Sequence, residues 1–396
     1  MGNSKLIPLS VPNLSLDIME NIKETIETGW VSTGGRFIKE FEENIAEYVG
    51  VKKAVACQSG TAGLHLALRV LGIDPGDEVI VPTVTFIATV NPVKYMKAEP
   101  IFMDCDDSLN MDMNKLEEFL EEKCTHIDGK VINKNTGKLI KAIVVVHVFG
   151  NPVDMERLIL IKEKYNLKLV EDATEALGSY YVNGEYAGKY CGAIGDMGVY
   201  SFNANKIITT GGGGMVVSNS KKLLDEVEFL SLQAKIDSLY FVHDDIGYNY
   251  RMTNIQAAYG LDQMEKLEGF IKTKIRNYNI YKEEIKNIEG LTLLPFSENT
   301  RANYWFYSVM VNKEEYGIGR DELLFRLNDS NIQTRPLWRL IHKQKPYLAN
   351  EGYRIEKAYT FEKDLINIPC STNLKEEDIE RVIKALKDNK KSIWGD

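Results

Sequence analysis

The sequence predicts an α/β protein with a large, mostly parallel sheet domain and a smaller α+β domain at the C-terminal end. Three observations predict this class. Apolar runs of strand length alternate with helical periods from about residue 10 to residue 220. Several runs are continuous in valine and isoleucine, such as VVVHVF at 144–149 and EVIVP at 78–82, which is typical of strands buried on both faces. Beyond about residue 288 the alternation gives way to separate strands and helices.

Local patterns predict the elements of the large domain. An acidic cap at Asp154 begins a helix over 154–165, and the sequence DPGD at 74–77 predicts a tight turn before a strand. The polar stretch KVINKNTGK at 130–138 predicts a surface hairpin or loop inserted before a core strand. The predicted strands are 54–58, 78–81, 100–104, 142–148, 168–171, 198–202 and 214–217.

The domain division follows from the length and from the change of pattern. A chain of 396 residues is too long for one compact core. We expect a large domain over 1–270 and a small domain over 271–396. The spacing of apolar residues from 252 to 288 predicts one long helix or two joined helices. In the small domain, strands are expected at 291–296 and 304–311, and helices at 321–328 and 376–388.

Composition and charge argue against several classes of protein. No apolar run approaches about 18 residues and the first residues lack an apolar signal region, so neither a membrane span nor secretion is expected. The five cysteines form no CxxC pair, which predicts a reducing, cytoplasmic location. The histidines show no metal-ligand spacing, so no metal is expected. The net charge of −9, without a basic run, argues against a nucleic-acid partner, although a local pocket can still bind an anionic small molecule.

A candidate anion site lies where the first predicted strand meets a helix. The sequence CQSGTAG at 57–63 places Ser59, Gly60 and Thr61 at the start of that helix. Free backbone N–H groups and the positive end of the helix dipole meet there, beside a threonine hydroxyl, and this combination suits a phosphate. A simple helix cap with no ligand is the alternative for these residues taken alone.

Two further segments carry candidate catalytic groups. Asp172 follows the apolar strand LKLV, at the sheet edge where α/β proteins bind ligands, and its carboxylate could keep a ring nitrogen protonated. The alternative is an acidic helix cap. Lys206 lies between an apolar strand and four consecutive glycines at 211–214. Such backbone indicates close approach to a ligand or another chain, and desolvation there would free the amine as a nucleophile for a Schiff base. The alternative is an exposed loop lysine.

The order of these motifs resembles a known family. The set SGTAG, PTVTF, EDATEALG, YSFNANKIITTGGGGM and GYNYRMTNIQAA resembles the DegT/DnrJ/EryC family of sugar aminotransferases, which have the fold-type-I aminotransferase architecture and bind pyridoxal 5′-phosphate. The resemblance runs from GWVSTGGRFIKEFE near the start to LINIPCS near the end. It implies a transaminase that moves an amino group from glutamate to a nucleotide-linked keto-sugar.

The resemblance also implies roles for individual residues. Lys206 matches the Schiff-base lysine, Asp172 the partner of the pyridine nitrogen, and Phe86 the aromatic that stacks on the ring. Asn249 matches a residue that reaches the phosphate of the neighbouring subunit, which implies a homodimer with a shared active site. The other implied cofactor contacts are Gly60, Thr61 and Ser201 at the phosphate, Glu175 where the family often has Gln or His near the 3-hydroxyl, and Ser59 and Asn203.

The finer features resemble one branch of the family. Gly212 stands where many members have a glutamate, and the insertion at 130–138 and the segment IPLSVPNLS near the start resemble the LegC-like branch, associated with legionaminic-acid synthesis. This implies a 4-aminotransferase acting on a UDP-linked 2-acetamido-2,6-dideoxy-4-keto-hexose. Candidate substrate contacts are Trp30 and Thr33 in an N-terminal segment, and Arg335, Trp338 and His342 in TRPLWRLIH, where arginine suits phosphate and tryptophan suits stacking.

Three alternatives accompany this hypothesis. The first is amination at C3, or of a dTDP- or GDP-linked sugar. The second is a dehydratase of the same family, but those enzymes have a histidine in place of the lysine, and Lys206 argues against them. The third is a catalytically silent regulator. The chain retains both Lys206 and Asp172 and shows no helix-turn-helix appendage, and both observations argue against this alternative.

Overall fold

The strands of the protein assemble into one large sheet and three smaller ones, in a computed structural model that describes residues 5–391. In chain order the strands are β1 (Lys53–Cys57), β2 (Glu78–Pro82), β3 (Glu99–Met103), β4 (Cys124–Ile127), β5 (Lys130–Asn133), β6 (Leu139–Val146), β7 (Lys168–Asp172), β8 (Tyr180–Tyr181), β9 (Met197–Ser201), β10 (Gly214–Ser218), β11 (Lys235–Asp237), β12 (Val242–His243), β13 (Leu291–Leu293), β14 (Thr300–Arg301), β15 (Tyr307–Val311), β16 (Arg335–Pro336), β17 (Gly352–Tyr353) and β18 (Leu365–Ile368).

Twelve α-helices cover the sheets within the described residues. They are α1 (Met19–Thr28), α2 (Arg36–Val49), α3 (Gly60–Val70), α4 (Asn91–Tyr95), α5 (Met113–Glu122), α6 (Met155–Tyr165), α7 (Lys221–Ser231), α8 (Asn254–Ile285), α9 (Lys313–Tyr316), α10 (Arg320–Asp329), α11 (Lys357–Asp364) and α12 (Glu376–Asp388). Short 3-10 turns lie at Leu16–Ile18, Ile87–Thr89, Val148–Gly150, Ile341–Lys343 and Lys345–Tyr347. No helix within residues 5–391 is long and apolar enough to cross a membrane.

The large sheet is mixed and mostly parallel, as the sequence predicted. Its strand order is β1-β10-β9-β7-β6-β2-β3-β17, and β5 and β4 extend it beside β6. The strands from β9 to β17 run parallel, whereas β10 lies antiparallel to both β1 and β9. The strands β1, β2, β7 and β9 therefore all end at one edge of the sheet, and β10 begins there. This edge positions the candidate site.

Packing divides the molecule into a covered sheet and a smaller unit. One face of the large sheet packs against α2, α5, α6 and α8 through residues such as Phe41, Phe119 and Leu158. The other face packs against α3, α4 and α7, through residues such as Leu66 and Val93. Because both faces are covered, the strands between them are mostly apolar.

A third apolar cluster lies mostly in the small unit, where β13, β15, β18 and β16 form an antiparallel sheet, and it also includes residues next to the large sheet, such as Val146. The N-terminal residue Ile7 packs into this cluster. The helix α8 connects the two units, since Ile271 packs with the large sheet and Tyr278 packs with the small one. The helix is continuous through residue 270, and the division into domains at that residue stays a prediction.

The predicted elements are present in the structure, with ends that differ by up to about three residues. All seven strands of the large domain, the helix after Asp154 and the hairpin over 130–138 are present, and the region 252–288 forms one helix. The strand expected at 304–311 begins only at Tyr307, because Tyr304 has a left-handed backbone with φ of 54°. The strand expected at 291–296 ends at Leu293, because Pro295 has no N–H to continue the ladder.

Candidate active site

A cavity of about 330 Å³ lies at the edge where β1, β2, β7 and β9 end. The loops that follow these four strands all reach it, and so does the glycine-rich segment that precedes β10. Residues far apart in sequence, including Gly60, Phe86, Asp172 and Lys206, therefore line one pocket. Ligands of α/β proteins bind at the carboxyl ends of strands for this topological reason.

Asp172 is the last residue of β7 and is buried at the floor of the cavity. Its Oδ2 accepts a hydrogen bond of 2.7 Å from the Thr89 hydroxyl, and its Oδ1 accepts one of 3.1 Å from the Thr174 N–H. Thr89 is itself paired with the Thr85 hydroxyl at 2.7 Å. The next helix along the chain begins only at Lys221, so the alternative of an acidic helix cap is wrong. The carboxylate is instead held in a fixed orientation toward the cavity.

Lys206 lies in the loop after β9, with its side chain inside the cavity. The side chain is 12% exposed, and its Nζ lies 3.8 Å from Oε1 of Glu175. Burial lowers the pKa of Lys206, while Glu175 and Asp172 oppose that shift. The alternative of an exposed loop lysine is therefore wrong. A desolvated amine with a lowered pKa is the form that acts as a nucleophile or a base.

Glu175 is buried beside Lys206, at 4% exposure. Its Oε2 accepts a 2.8 Å hydrogen bond from the backbone N–H of Phe149. Burial raises the pKa of Glu175 to about 7, against the attraction of Lys206. The site thus holds two titratable groups, Lys206 with a lowered pKa and Glu175 with a raised pKa. Shifts in these directions favour proton exchange near pH 7.

The turn after β1 forms a cradle for an anion. Ser59 caps α3, since its Oγ accepts a 3.1 Å hydrogen bond from the Ala62 N–H, and the N–H groups of Gly60 and Thr61 have no partner within the helix. A Cβ on Gly60 would lie 2.9 Å from Cγ2 of Thr174, and one on Gly214 would lie 2.5 Å from the carbonyl carbon of Ser59. The glycine-rich segment therefore approaches this turn closely, as its composition predicted.

The donor set of the cavity fits pyridoxal 5′-phosphate. A helix N-terminus with an adjacent hydroxyl from Ser201 suits the phosphate, and a buried carboxylate suits a protonated ring nitrogen. A desolvated lysine, Lys206, lines the same cavity, and its amine suits an aldehyde. Phe86, 54% exposed, lies on the cavity wall and presents an aromatic face. No cluster of metal-ligating side chains is found in residues 5–391.

The structure separates the predicted contacts into two groups. Ser59, Gly60, Thr61, Phe86, Asp172, Glu175, Ser201, Asn203, Lys206 and Trp338 line the cavity. Five others lie away from its described lining: Trp30, Thr33, Asn249, Arg335 and His342. Trp30 is 61% exposed, and Asn249 is also exposed.

His342 anchors the segment that carries Trp338. Its Nδ1 lies 2.6 Å from the Thr83 hydroxyl, and its Nε2 lies 3.0 Å from the Tyr359 hydroxyl. Both ring nitrogens are therefore satisfied by the protein. Arg335 is exposed and donates to the carbonyl of Thr334 at 2.9 Å. Within one chain, Trp338 is the residue of the TRPLWRLIH segment that lines the described cavity.

Sequence reasoning missed two contributors to the site. Thr89 orients Asp172 but lies four residues beyond PTVT, in a 3-10 turn that a sequence does not reveal. Trp305 comes from the small unit, and its ring centre lies 4.1 Å from Nζ of Lys206. The only available signal was the aromatic run YWFY at 304–307, which is equally typical of a buried strand.

Comparison with known proteins identifies similar chains over nearly the full length. The family model described as the DegT/DnrJ/EryC1/StrS aminotransferase family matches residues 12–387. GDP-perosamine synthase of Escherichia coli O157:H7 is 38% identical over 389 residues, which cover 97% of this chain and 98% of that protein. A relative from Campylobacter jejuni, UDP-4-amino-4,6-dideoxy-N-acetyl-beta-L-altrosamine transaminase, is 31% identical over 356 residues and covers 89% of each chain.

A solved structure has the same fold. The PLP form of Spr1654 from Streptococcus pneumoniae aligns with a TM-score of 0.86 and 25% identity, and the alignment covers 98% of this chain and 100% of that one. The small unit and the large sheet therefore both have counterparts in that structure.

Proposed function

This chain belongs to the DegT/DnrJ/EryC1/StrS aminotransferase family, and we propose that it transfers the amino group of glutamate to C4 of UDP-2-acetamido-2,6-dideoxy-4-keto-hexose. It is a pyridoxal-phosphate-dependent nucleotide-sugar aminotransferase. One observation carries the proposed chemistry: Lys206, Asp172 and the anion cradle at Gly60 meet in one cavity. This arrangement leaves the catalytically silent alternative without support.

Each cofactor contact has a proposed role. The N–H groups of Gly60 and Thr61 and the hydroxyl of Ser201 bind the phosphate. Asp172 would accept a hydrogen bond from the protonated ring nitrogen, and Phe86 would pack on the ring. When bound, pyridoxal phosphate supplies an electron sink for the pair released from a broken C–H bond. The remaining contacts proposed are Ser59, which shapes the phosphate turn, and Glu175 and Asn203 at the cavity wall.

Lys206 moves the protons of the reaction. Its Nζ takes a proton from the donor carbon and returns one on the acceptor side, and it must alternate between amine and ammonium to do so. Burial favours the amine, whereas Glu175 at 3.8 Å and the charge of Asp172 favour the ammonium. The first influence lowers the pKa of Lys206 and the second opposes that shift, so the net lowering brings the amine form closer to the pH of the reaction.

The choice of a UDP-linked N-acetyl sugar rests on the finer motifs. Gly212 after the lysine, the insertion at 130–138 and the segment IPLSVPNLS near the start resemble the LegC-like, legionaminic branch. The Campylobacter relative, by its name, acts on a UDP-linked N-acetyl sugar. A GDP-linked 4-keto-6-deoxy sugar is the second candidate, because the relative at 38% identity is named a GDP-perosamine synthase.

A product assay distinguishes these candidates. The purified protein is incubated with glutamate and with UDP-, GDP- and dTDP-linked 4-keto and 3-keto sugars, and products are analysed by mass spectrometry and NMR. We expect a 4-amino product from the UDP-linked N-acetyl sugar. Amination of the GDP-linked sugar instead would reject the branch assignment and keep the chemistry. A 3-amino product would reject C4 as the target.

We also propose that the enzyme works as a homodimer with shared active sites. The hairpin of β11 and β12 and the residues just after it expose large apolar side chains, including Leu239, Tyr240, Phe241 and Ile246, each at least 70% exposed. A contiguous apolar surface of this kind suits burial against a second copy. Asn249 follows this hairpin and is exposed, as required of a residue that completes the partner's phosphate site. The five buried free cysteines support a reducing, cytoplasmic location.

A further inference from the structure

The indole ring of Trp305 packs against Nζ of Lys206. Nζ of Lys206 lies 4.1 Å from the ring centre. The indole Nε1–H donates a 2.8 Å hydrogen bond to the carbonyl of Asn205, the residue that precedes the lysine. A cation within about 6 Å of an indole face is attracted to the ring, and most strongly where water is excluded. Trp305 thus contacts both the backbone and the head group of the lysine segment.

Buried polar groups fix the backbone of Trp305. Its N–H is shared between the Phe149 carbonyl at 3.1 Å and the Asn303 Oδ1 at 3.0 Å. The amide of Asn303 also donates to the carbonyl of Glu175 at 2.8 Å. One buried side chain therefore connects the backbone that carries the indole to the backbone that carries Glu175. The indole and Glu175 are held on a common support around Lys206.

Lys274 fixes the other side of Trp305. This buried lysine of α8 donates to the carbonyl of Trp305 at 2.9 Å and to that of Cys370 at 2.7 Å. No ion pair of Lys274 is found among residues 5–391, and burial lowers its pKa. A buried amine without a carboxylate is less favourable than an apolar side chain of the same length. Its two hydrogen bonds hold the Trp305 backbone in place.

We propose that Trp305 is a catalytic residue, whose indole face stabilises the ammonium form of Lys206, and that Asn303 and Lys274 are positioning residues for it. The inference rests on the proposed role of Lys206 as proton carrier. When the donor C–H bond breaks, its electron pair remains with the carbon framework and the proton forms an N–H bond on Nζ. The indole stabilises the positive charge created there, and releases the lysine when the proton returns to carbon.

Trp305 differs from the other groups that face Lys206. Glu175 and Asp172 are the charged groups whose interaction with Lys206 is seen among the described residues. Both are acids, and Glu175 can lose its charge near neutral pH because burial raises its pKa to about 7. The indole does not titrate, so its attraction for the ammonium is the same across the working pH range.

The test measures the protonation of Lys206 directly, without substrate. The cofactor-free, full-length protein is treated with a trace amine-acylating reagent across a pH series, and modification of Lys206 is quantified by peptide mass spectrometry. In Trp305→Leu we expect the midpoint for Lys206 to fall by roughly one pH unit. Trp305→Phe keeps an aromatic face, so its Lys206 midpoint should fall by less than half as much as in Trp305→Leu. The exposed Lys39 serves as an internal control and should not shift.

A second measurement covers the case in which Trp305→Leu does not fold. The protein, which contains four tryptophans, is produced with increasingly fluorinated tryptophan, which weakens the ring face and leaves its shape almost unchanged. We expect the Lys206 midpoint to fall stepwise with fluorination. An unchanged midpoint in the fluorinated series would overturn the proposal and leave Trp305 a packing residue. Because no sugar is used, failure of the sugar assay would not affect this result.

The positioning role is tested by Lys274→Met. This variant keeps the side-chain length and removes the two hydrogen bonds to backbone carbonyls. We expect the Lys206 midpoint to shift in the same direction as in Trp305→Leu, by a smaller amount, with an unchanged or higher thermal midpoint of unfolding. A loss of thermal stability with no shift at Lys206 would show that Lys274 only supports the fold.

Discussion

The hydroxyl of Thr89 donates a 2.7 Å hydrogen bond to Oδ2 of Asp172. This contact joins the loop after β2 to the end of β7, two strands that are separated by β6 in the sheet. It leaves the Asp172 carboxylate with a defined direction toward the cavity. The electronic role proposed for Asp172 depends on that direction, because a charge-assisted hydrogen bond to a ring nitrogen is sensitive to geometry.

Substitution of these two residues should give graded effects. Asp172→Asn removes the charge that keeps the ring nitrogen protonated, and we expect kcat to fall by roughly 10²- to 10⁴-fold. Thr89→Val removes one hydrogen bond to a charged group, which is worth about 1.5–3 kcal/mol, and should lower kcat by about 10- to 100-fold. Thr85→Val is the control, because Thr85 bonds to Thr89 and not to the carboxylate. Equal activity of Thr89→Val and wild type would contradict the orienting role.

The glycine-rich segment allows a matched pair of substitutions. A Cβ at Gly214 would lie 2.5 Å from the Ser59 carbonyl carbon, whereas one at Gly212 would meet only the Gln256 side chain, at 3.8 Å. Gly214→Ala should displace the phosphate turn, weaken cofactor binding at least about tenfold and destabilise the fold by roughly 1–3 kcal/mol. Gly212→Ala should bind the cofactor normally. Cofactor titration followed by absorbance checks both, and equal affinities would argue against a phosphate at this turn.

Glu175 should make stability depend on pH. Burial raises its pKa from 4.5 to about 7, so between these values the folded protein binds more protons than the unfolded chain. The free energy of unfolding should therefore fall as pH rises through this window, by about 3 kcal/mol in total. Urea unfolding of the cofactor-free protein at pH 5 and pH 7 measures this change. Glu175→Gln should remove the contribution of Glu175 to the pH dependence of the free energy of unfolding. An identical pH dependence in the variant would contradict the raised pKa of Glu175.

A hybrid dimer tests the shared active site. Lys206→Ala inactivates its own site, and Asn249→Asp places a negative charge beside the phosphate in the partner's site. In a heterodimer of the two variants, both lesions fall in one site and the other site is intact, so about half of the wild-type activity should return. Differently tagged, co-purified heterodimers give this measurement. Full activity of the Asn249→Asp homodimer would reject the proposed contact, and a monomer in solution would reject the dimer.

Much of the fold could be predicted because local and global signals agree. The strands of the large sheet are buried on both faces, so their apolar runs identify them with little ambiguity. The strand ends were less predictable. Tyr304 has a positive φ, which its residue type does not predict.

The candidate site was predictable mainly in the parts that follow strands of the large sheet, with Trp338 of the small unit as the exception. Ser59, Asp172 and Lys206 lie next to such strands, and the topology brings them together. Trp305 arrives from a distant segment, and its contact with Lys206 depends on Asn303 and Lys274. The sequence indicated Trp30, Thr33 and Arg335 as candidate substrate contacts. These residues lie away from the described cavity of one chain, and their role stays a prediction for the assembled enzyme.

Reductive trapping would show directly whether Lys206 carries the cofactor. The purified protein is saturated with pyridoxal phosphate, reduced with borohydride, digested and analysed by peptide mass spectrometry. We predict that the phosphopyridoxyl mass is found on the peptide containing Lys206, and that Lys206→Ala takes up none. Specific labelling of another lysine, such as the buried Lys274, or no labelling of the saturated protein, would show that Lys206 does not carry the cofactor.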